Sequence, residues 1–302
     1  MTSGRERIRI FDTTLCNGEH SPYGISYAQK LQLGRALVEL GVDVIQAGFP
    51  GTSRVNSDEV AALARTLHGP VICALARCNR QDIELAAQTL NEAERPRIHV
   101  FLNATRANNG LPDTFNTVEE DILLMAVRGV RIARDICEDV EFSLENAART
   151  NLRFLTEVFD ATIEAGVTTI NIPQVPGDMV PDEMTELIRY LRQNVRAIER
   201  VCLSVQCQNG FGLATANSLA AVIAGVRQIQ CALGTSGLDS GNCSLEGFVR
   251  ALTTREAFFN ADTSIDTIRL SPTCRLGSGI TGTPDRPIKR QFQGIFNEHN
   301  GM

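Results

Sequence analysis

Two glutamines, Gln206 and Gln208, stand two residues apart in the run Ser204-Val205-Gln206-Cys207-Gln208-Asn209-Gly210. The run reads as a buried strand that breaks at Asn-Gly and enters a helix. Residues two apart on a strand share a face, so both amides point one way and Cys207 the other. Such a pair at a strand end can offer two donor atoms to one ion or one substrate. Amides are neutral, however, and make poor ligands for a transition metal. The pair is therefore either a binding site for something else or the remnant of a metal site. A second reactive stretch is Thr13-Thr14-Leu15-Cys16-Asn17-Gly18-Glu19-His20. An imidazole beside Cys16 would make it a thiolate nucleophile; the alternative is a small side chain that fills space.

Something must position these groups. The chain has 302 residues, enough for one large α/β domain or two small ones. A net charge of -6 with no long basic run argues against nucleic acid as a partner. No stretch of 18 apolar residues occurs and the start lacks an apolar signal region, so no membrane partner and a cytoplasmic location are expected. Nine cysteines are scattered without a CxxC pair. Most lie in apolar runs, as expected of buried, reduced thiols that act as small hydrophobes.

Strands are predicted at 8–12, 42–45, 70–75, 97–102, 139–144, 168–173, 201–207 and 228–233. Helical patterns follow each, near 26–40, 51–67, 80–94, 115–137, 151–165, 181–199, 212–225 and 243–258. Ser26 and Gln29 have capping-box spacing, and Gly41 and Gly69 are placed to stop the first two helices. Continuous apolar strands signal burial on both faces. Eight strand–helix units over about 250 residues predict a parallel (β/α)8 TIM barrel at 1–258. Residues 259–302, rich in Ser, Thr, Gly and Pro, are expected to form a short irregular C-terminal extension without a long amphipathic stretch.

Such barrels keep their chemistry at the C-terminal strand ends. Those ends carry Thr13 to His20, Gln46 to Pro50, His99 to Phe101, Ser143 to Asn146, Asn171 to Gln174, Gln206 with Gln208, and Gly237 to Asn242. Several motifs among them resemble one family. DTTL with GE at Asp12–Glu19, AGFP at Ala47–Pro50, FSLENAART at Phe142–Thr150, the run Gly212–Gln230 and Gly241-Asn242 are similar to the 2-isopropylmalate synthase, homocitrate synthase and hydroxymethylglutaryl-CoA lyase group. These are the pyruvate-carboxyltransferase-type barrels. The resemblance runs from Ile8 to about Phe296, where the synthases continue towards a regulatory domain that is not expected here. It implies a divalent metal at the barrel mouth and an aldol/Claisen step between an acyl-CoA and an α-keto acid. It also implies a homodimer.

The site letters depart from that pattern. Cys16 stands for the arginine that grips the keto acid, Asn17 for the metal-binding aspartate, and His20 for a glutamine. Gln206 and Gln208 replace the metal-binding histidine pair, Gln46 a glutamate, and Asn146 and Gln174 two aspartates. Of the metal ligands only Asn242 matches. Three amides without a charge make a weak metal site, so no metal and no other cofactor is expected. Cations and anions are missing together while Gly48-Phe49-Pro50 and Gly241-Asn242 remain, which describes a pocket kept in shape but rebuilt to be nearly neutral. An unpaired buried carboxylate would have been costly there. The resemblance gives His99 a contact with the keto acid and Glu145 a role in proton transfer. Glu145, His99 and Cys16 are the catalytic candidates; Asn17, His20, Gln46, Ser143, Gln174, Gln206, Gln208 and Asn242 are the substrate-binding ones. Three readings stay open. One is a metal-independent enzyme for a keto-acid or acyl-thioester substrate, transferring an acyl group or making or breaking a C–C bond. Another is a pseudoenzyme that binds a metabolite or supports an active partner. The last is an ordinary metal-dependent synthase with unusual ligands.

Overall fold

The computed structural model describes residues 4–17, 25–103, 118–233 and 241–282. Eight parallel strands close on themselves: β1 (Arg9–Asp12), β2 (Val44–Gly48), β3 (Val71–Arg77), β4 (Pro96–Asn103), β5 (Val140–Glu145), β6 (Thr169–Val175), β7 (Cys202–Cys207) and β8 (Gln228–Ala232). Each pairs with its sequence neighbour, and β8 pairs with β1, Arg9 opposite Gln228 and Asp12 opposite Cys231. All eight predicted strands are present, each within three residues of its expected place.

The helices are α1 (Tyr27–Leu40), α2 (Arg54–Thr66), α3 (Arg80–Thr89), α4 (Val118–Arg134), α5 (Leu152–Glu164), α6 (Pro181–Asn194), α7 (Ala214–Ala224) and α8 (Leu245–Thr254). The Ser26–Gln29 capping box opens α1, and Gly41 ends it in the left-handed conformation, φ 87°. A side chain at Gly41 would also collide with the Ser264 carbonyl, 2.6 Å from its Cβ position. The second stop differs from expectation: α2 ends at Thr66, and its cap is Leu67 in extended conformation. Gly69, φ 100°, serves the turn into β3 instead.

The core lies mainly between strands and helices, where residues such as Leu33, Leu63, Ile83, Phe159, Ile188 and Phe248 are fully enclosed. Inside the barrel the filling is partly apolar, with Phe11, Val44, Val71 and Cys73 together. The rest is polar. Arg97 donates to Asp139 and Glu141, each at 2.9 Å, and to Gln228 at 2.9 Å. Gln228 and Gln230 donate to the two oxygens of Glu141. Burial works against a charged Arg97, but Glu141 and Asp139 outweigh it and hold the guanidinium protonated. The acids and the Gln228 oxygen thus engage all three nitrogens of a charge that the apolar surroundings would otherwise reject.

The extension contributes one helix that composition does not announce, α9 (Thr267–Thr281). Its buried face is Leu270, Thr273, Cys274, Gly277, Ser278 and Thr281. That is helical spacing in small and weakly polar residues, so hydropathy does not mark it. Gly277 permits close approach, since a Cβ there would lie 2.6 Å from Leu233 Cβ. The helix rests on α1 and α8.

Among the described residues no helix is long and apolar enough to cross a membrane. All nine cysteines are free. Burial pushes the Cys78 and Cys207 thiols up to about 12 and Cys202 to about 11, as suits inert core thiols.

Candidate functional site

A cavity of about 240 Å3 opens at the C-terminal strand ends and brings together most of the predicted residues. Cys16 reaches it from the short helix Thr14–Asn17, Gln46 from β2, His99 from β4, Ser143 and Glu145 from β5, Gln174 from β6 and Gln206 from β7. Five neighbours were not among the candidates: Leu75, Phe101, Asn171, Pro173 and Gln230. Asn171 and Gln230 had a signal, because each is a polar residue inside an apolar strand with the inward parity of its neighbours.

Gln206 lines the cavity and Gln208 does not. The strand ends at Cys207, and Gln208 turns into a bridge with Asn242. Gln208 is not part of the cavity wall. Asn242 is not part of it either; its amide donates to Thr13 Oγ1 at 2.9 Å and ties the last strand's loop to the first strand. Asn17 closes the short helix, but its side chain lies outside the described residues, as do Glu19 and His20.

His99 is 4% exposed and meets Ser143 Oγ through Nε2 at 2.7 Å. Ser143 also accepts from Asn171 Nδ2 at 2.9 Å. Burial lowers the imidazole pKa below its ordinary 6.5; Glu141, 3.8 Å beneath, opposes that and Arg97 adds to it. The ring is therefore neutral near pH 7. It does not bond Cys16, since Nε2 is engaged by Ser143 and Nδ1 has no partner. The thiolate–imidazole pair considered from sequence is not formed with His99.

Glu145 stands half-buried on the rim and accepts from Asn103 Nδ2 at 2.9 Å. It borders a second space of about 170 Å3 that also holds Arg77, Asn103 and Met125. Arg77 is committed to both oxygens of Asp82. Just beyond Glu145 and at the end of β6, the chain turns out of the barrel through left-handed residues, Asn146 (φ 62°) and Gln174 (φ 49°). Gln174 N in turn donates to Gln206 Oε1 at 3.3 Å.

A divalent ion at this mouth would need carboxylate or imidazole donors. The matching positions offer neutral amides only: the Gln206 oxygen, already accepting from a backbone N–H, and Gln208 and Asn242, which lie outside the cavity wall. Among the described residues no group of three His, Cys, Asp or Glu side chains converges. The described residues do not fit a divalent cation.

A closed parallel barrel with helices outside and a polar cavity at the strand C-termini is a TIM barrel of the kind that carries active sites. The family can be stated more closely. The model of the HMGL-like family matches residues 7–276, and the chain belongs to that family. It is 44% identical over 299 residues to a 2-isopropylmalate synthase of Carboxydothermus hydrogenoformans, covering 98% of this chain and 58% of the relative. It is 44% identical over 277 residues to the enzyme of that name from Rhodopirellula baltica, covering 91% and 52%. The chain thus spans a little over half the length of these curated relatives. Among solved structures, a hydroxymethylglutaryl-CoA lyase from Pseudomonas aeruginosa superposes with a TM-score of 0.75 at 19% identity, covering 93% of this chain and 95% of that one. An HMG-CoA lyase from Acinetobacter baumannii, solved with coenzyme A and 3-methylmalate, gives 0.74 at 18% identity, covering 94% of each. At that identity the likeness concerns the fold alone.

Proposed function

We propose that this chain is a 2-isopropylmalate synthase-like barrel that works on a keto-acid or acyl-thioester substrate without a resident metal. The reaction would be acyl transfer, or the making or breaking of a C–C bond. The observation that carries this reading is the lining of the mouth: among the described residues its only formal charge is Glu145, set among neutral amides and a neutral imidazole. The names of the relatives support the reaction class.

In such a reaction Glu145 takes the proton from the carbon beside the thioester carbonyl. Negative charge then builds on the carbonyl oxygen. Here the amide hydrogens of Gln206, whose oxygen is held by the Gln174 N–H, and of Gln46 stabilise it. His99, pinned by Ser143, forms part of the neutral floor beneath. Amide donors are weaker than a Lewis acid, so turnover should be slow. The test is release of free thiol from an acyl-CoA by the purified chain, in excess chelator, with a carbonyl partner supplied. Turnover that survives chelation and drops at least tenfold in Glu145→Gln supports the reading; turnover that returns only on adding Mn2+ or Mg2+ overturns it.

One observation favours the binding-only reading. Glu145, the one carboxylate of the described wall, is already held by Asn103. That reading predicts ligand binding with no thiol release under any metal condition.

A further inference from the structure

The amides around the cavity are not interchangeable, because their partners fix which end is free. Gln230 is 1% exposed and its Nε2 donates to Glu141 at 2.9 Å. A carboxylate only accepts, so the orientation cannot be reversed, and the carbonyl oxygen of Gln230 is left for the cavity. Gln206 is fixed the opposite way. Its oxygen accepts from the backbone N–H of Gln174, so its NH2 is left for the cavity. These two lie on neighbouring strands, β7 and β8, and both border the cavity. Across from them Gln46, 6% exposed, makes no side-chain hydrogen bond to any described residue and presents both ends. The wall therefore shows an acceptor, a donor and one complete unpartnered amide.

No described cation balances an anion there. Arg97 below is committed to Asp139 and Glu141, and Arg77 beside it to Asp82. The one charge on the described rim, Glu145, is of the sign that repels a carboxylate.

We infer that the cavity selects an uncharged carbonyl ligand carrying its own hydrogen-bond donor, a carboxamide or hydroxycarbonyl compound, and discriminates against the free α-keto carboxylate. The inference deepens the site just proposed and rests on that cavity being the functional one. A carboxylate brings two acceptors and no donor, so it would face the Gln230 oxygen and Glu145 lone pair to lone pair. A carboxamide matches each free end in turn, and a thioester or hydroxycarbonyl matches the donors without adding charge. Of the two substrate kinds above, the thioester adds no charge to this wall, and a donor on its acyl group would meet the Gln230 oxygen.

Pyruvamide and pyruvate, equal in size and differing in charge, are the probes. Isothermal titration of the full chain is expected to show pyruvamide binding at least tenfold more tightly than pyruvate. Gln46→Leu should weaken pyruvamide by tenfold or more while leaving thermal stability near wild type. Cys16→Arg, which puts a cation on the cavity wall, should reverse the preference. Equal or tighter binding of pyruvate by the wild-type chain overturns the inference, whether or not either variant folds. Pyruvamide binding without thiol release in chelator would leave this inference standing and remove the catalytic reading; thiol release together with a preference for pyruvate would do the reverse.

Discussion

Asp12 and His99 are buried groups whose titrations pull stability in opposite directions. Burial raises the Asp12 pKa from its ordinary 3.8 to about 7, despite hydrogen bonds from the Thr14 N–H and hydroxyl. The folded state therefore keeps a proton that the unfolded chain releases between those values. Stability contributed by the protonated form is complete below pH 3.8 and is lost as pH rises to about 7, on the order of 4 kcal/mol in all. His99 behaves in reverse. Its folded pKa lies below 6.5, so its contribution is complete above pH 6.5 and is lost as the solution is acidified through the folded value. In wild type the two partly cancel. Urea unfolding between pH 4 and 7 should separate them. Asp12→Asn should gain on wild type as pH rises, and His99→Phe should gain as pH falls. Parallel curves for all three proteins would contradict both assignments. At this scale sequence was informative about residue type and less so about aim. Gln206 and Gln208 share parity only while the strand lasts, and it ends between them. Asn242 matched a family ligand by letter but spends its amide on Thr13.

Among elements, two features decide whether the mouth keeps its shape. One is the layer under it, where β4, β5 and β8 meet in the Arg97–Glu141–Gln228–Gln230 network. Removing the arginine leaves Glu141, 0% exposed, as an uncompensated charge. Arg97→Met should cost about 3–5 kcal/mol in chemical denaturation, and a loss below about 1 kcal/mol would show that the network contributes little. The other is the contact of the loops after β6 and β7. A Cβ on Gly177 would stand 2.4 Å from Gly210 N and 2.7 Å from its Cα, both backbone, and Phe211 N donates to the Gly177 carbonyl at 3.1 Å. Gly177→Ala should push the loops apart, at a cost of about 1–3 kcal/mol in stability, and weaken ligand binding through displaced Gln174 and Gln206. Wild-type binding in that variant would show the loops to be independent of the site. Strands were readable because β-branched apolar runs of five to eight residues need no partner to be recognised. The helix Thr267–Thr281 was not, because it buries threonine, serine and glycine rather than leucine. The interior network was also hidden: Arg97, Glu141 and Gln228 are 44 and 87 residues apart, and only strand register brings them together.

For the whole molecule, fold and family are settled at different places in the chain. Its shape follows from patterning that eight strand–helix units make legible, and its family follows from motifs at the strand ends. The free ends of the amides could not be read in advance, because they depend on which neighbour each amide has already satisfied. Equilibrium dialysis of the full chain against Mn2+ tests the central claim most directly. With neutral amides as donors, the account predicts fewer than about 0.1 ion per chain at roughly 0.1 mM free Mn2+, and stronger uptake only after Gln206→His and Gln208→His are introduced together with Asn17→Asp. Close to one Mn2+ bound per wild-type chain at that concentration would contradict it.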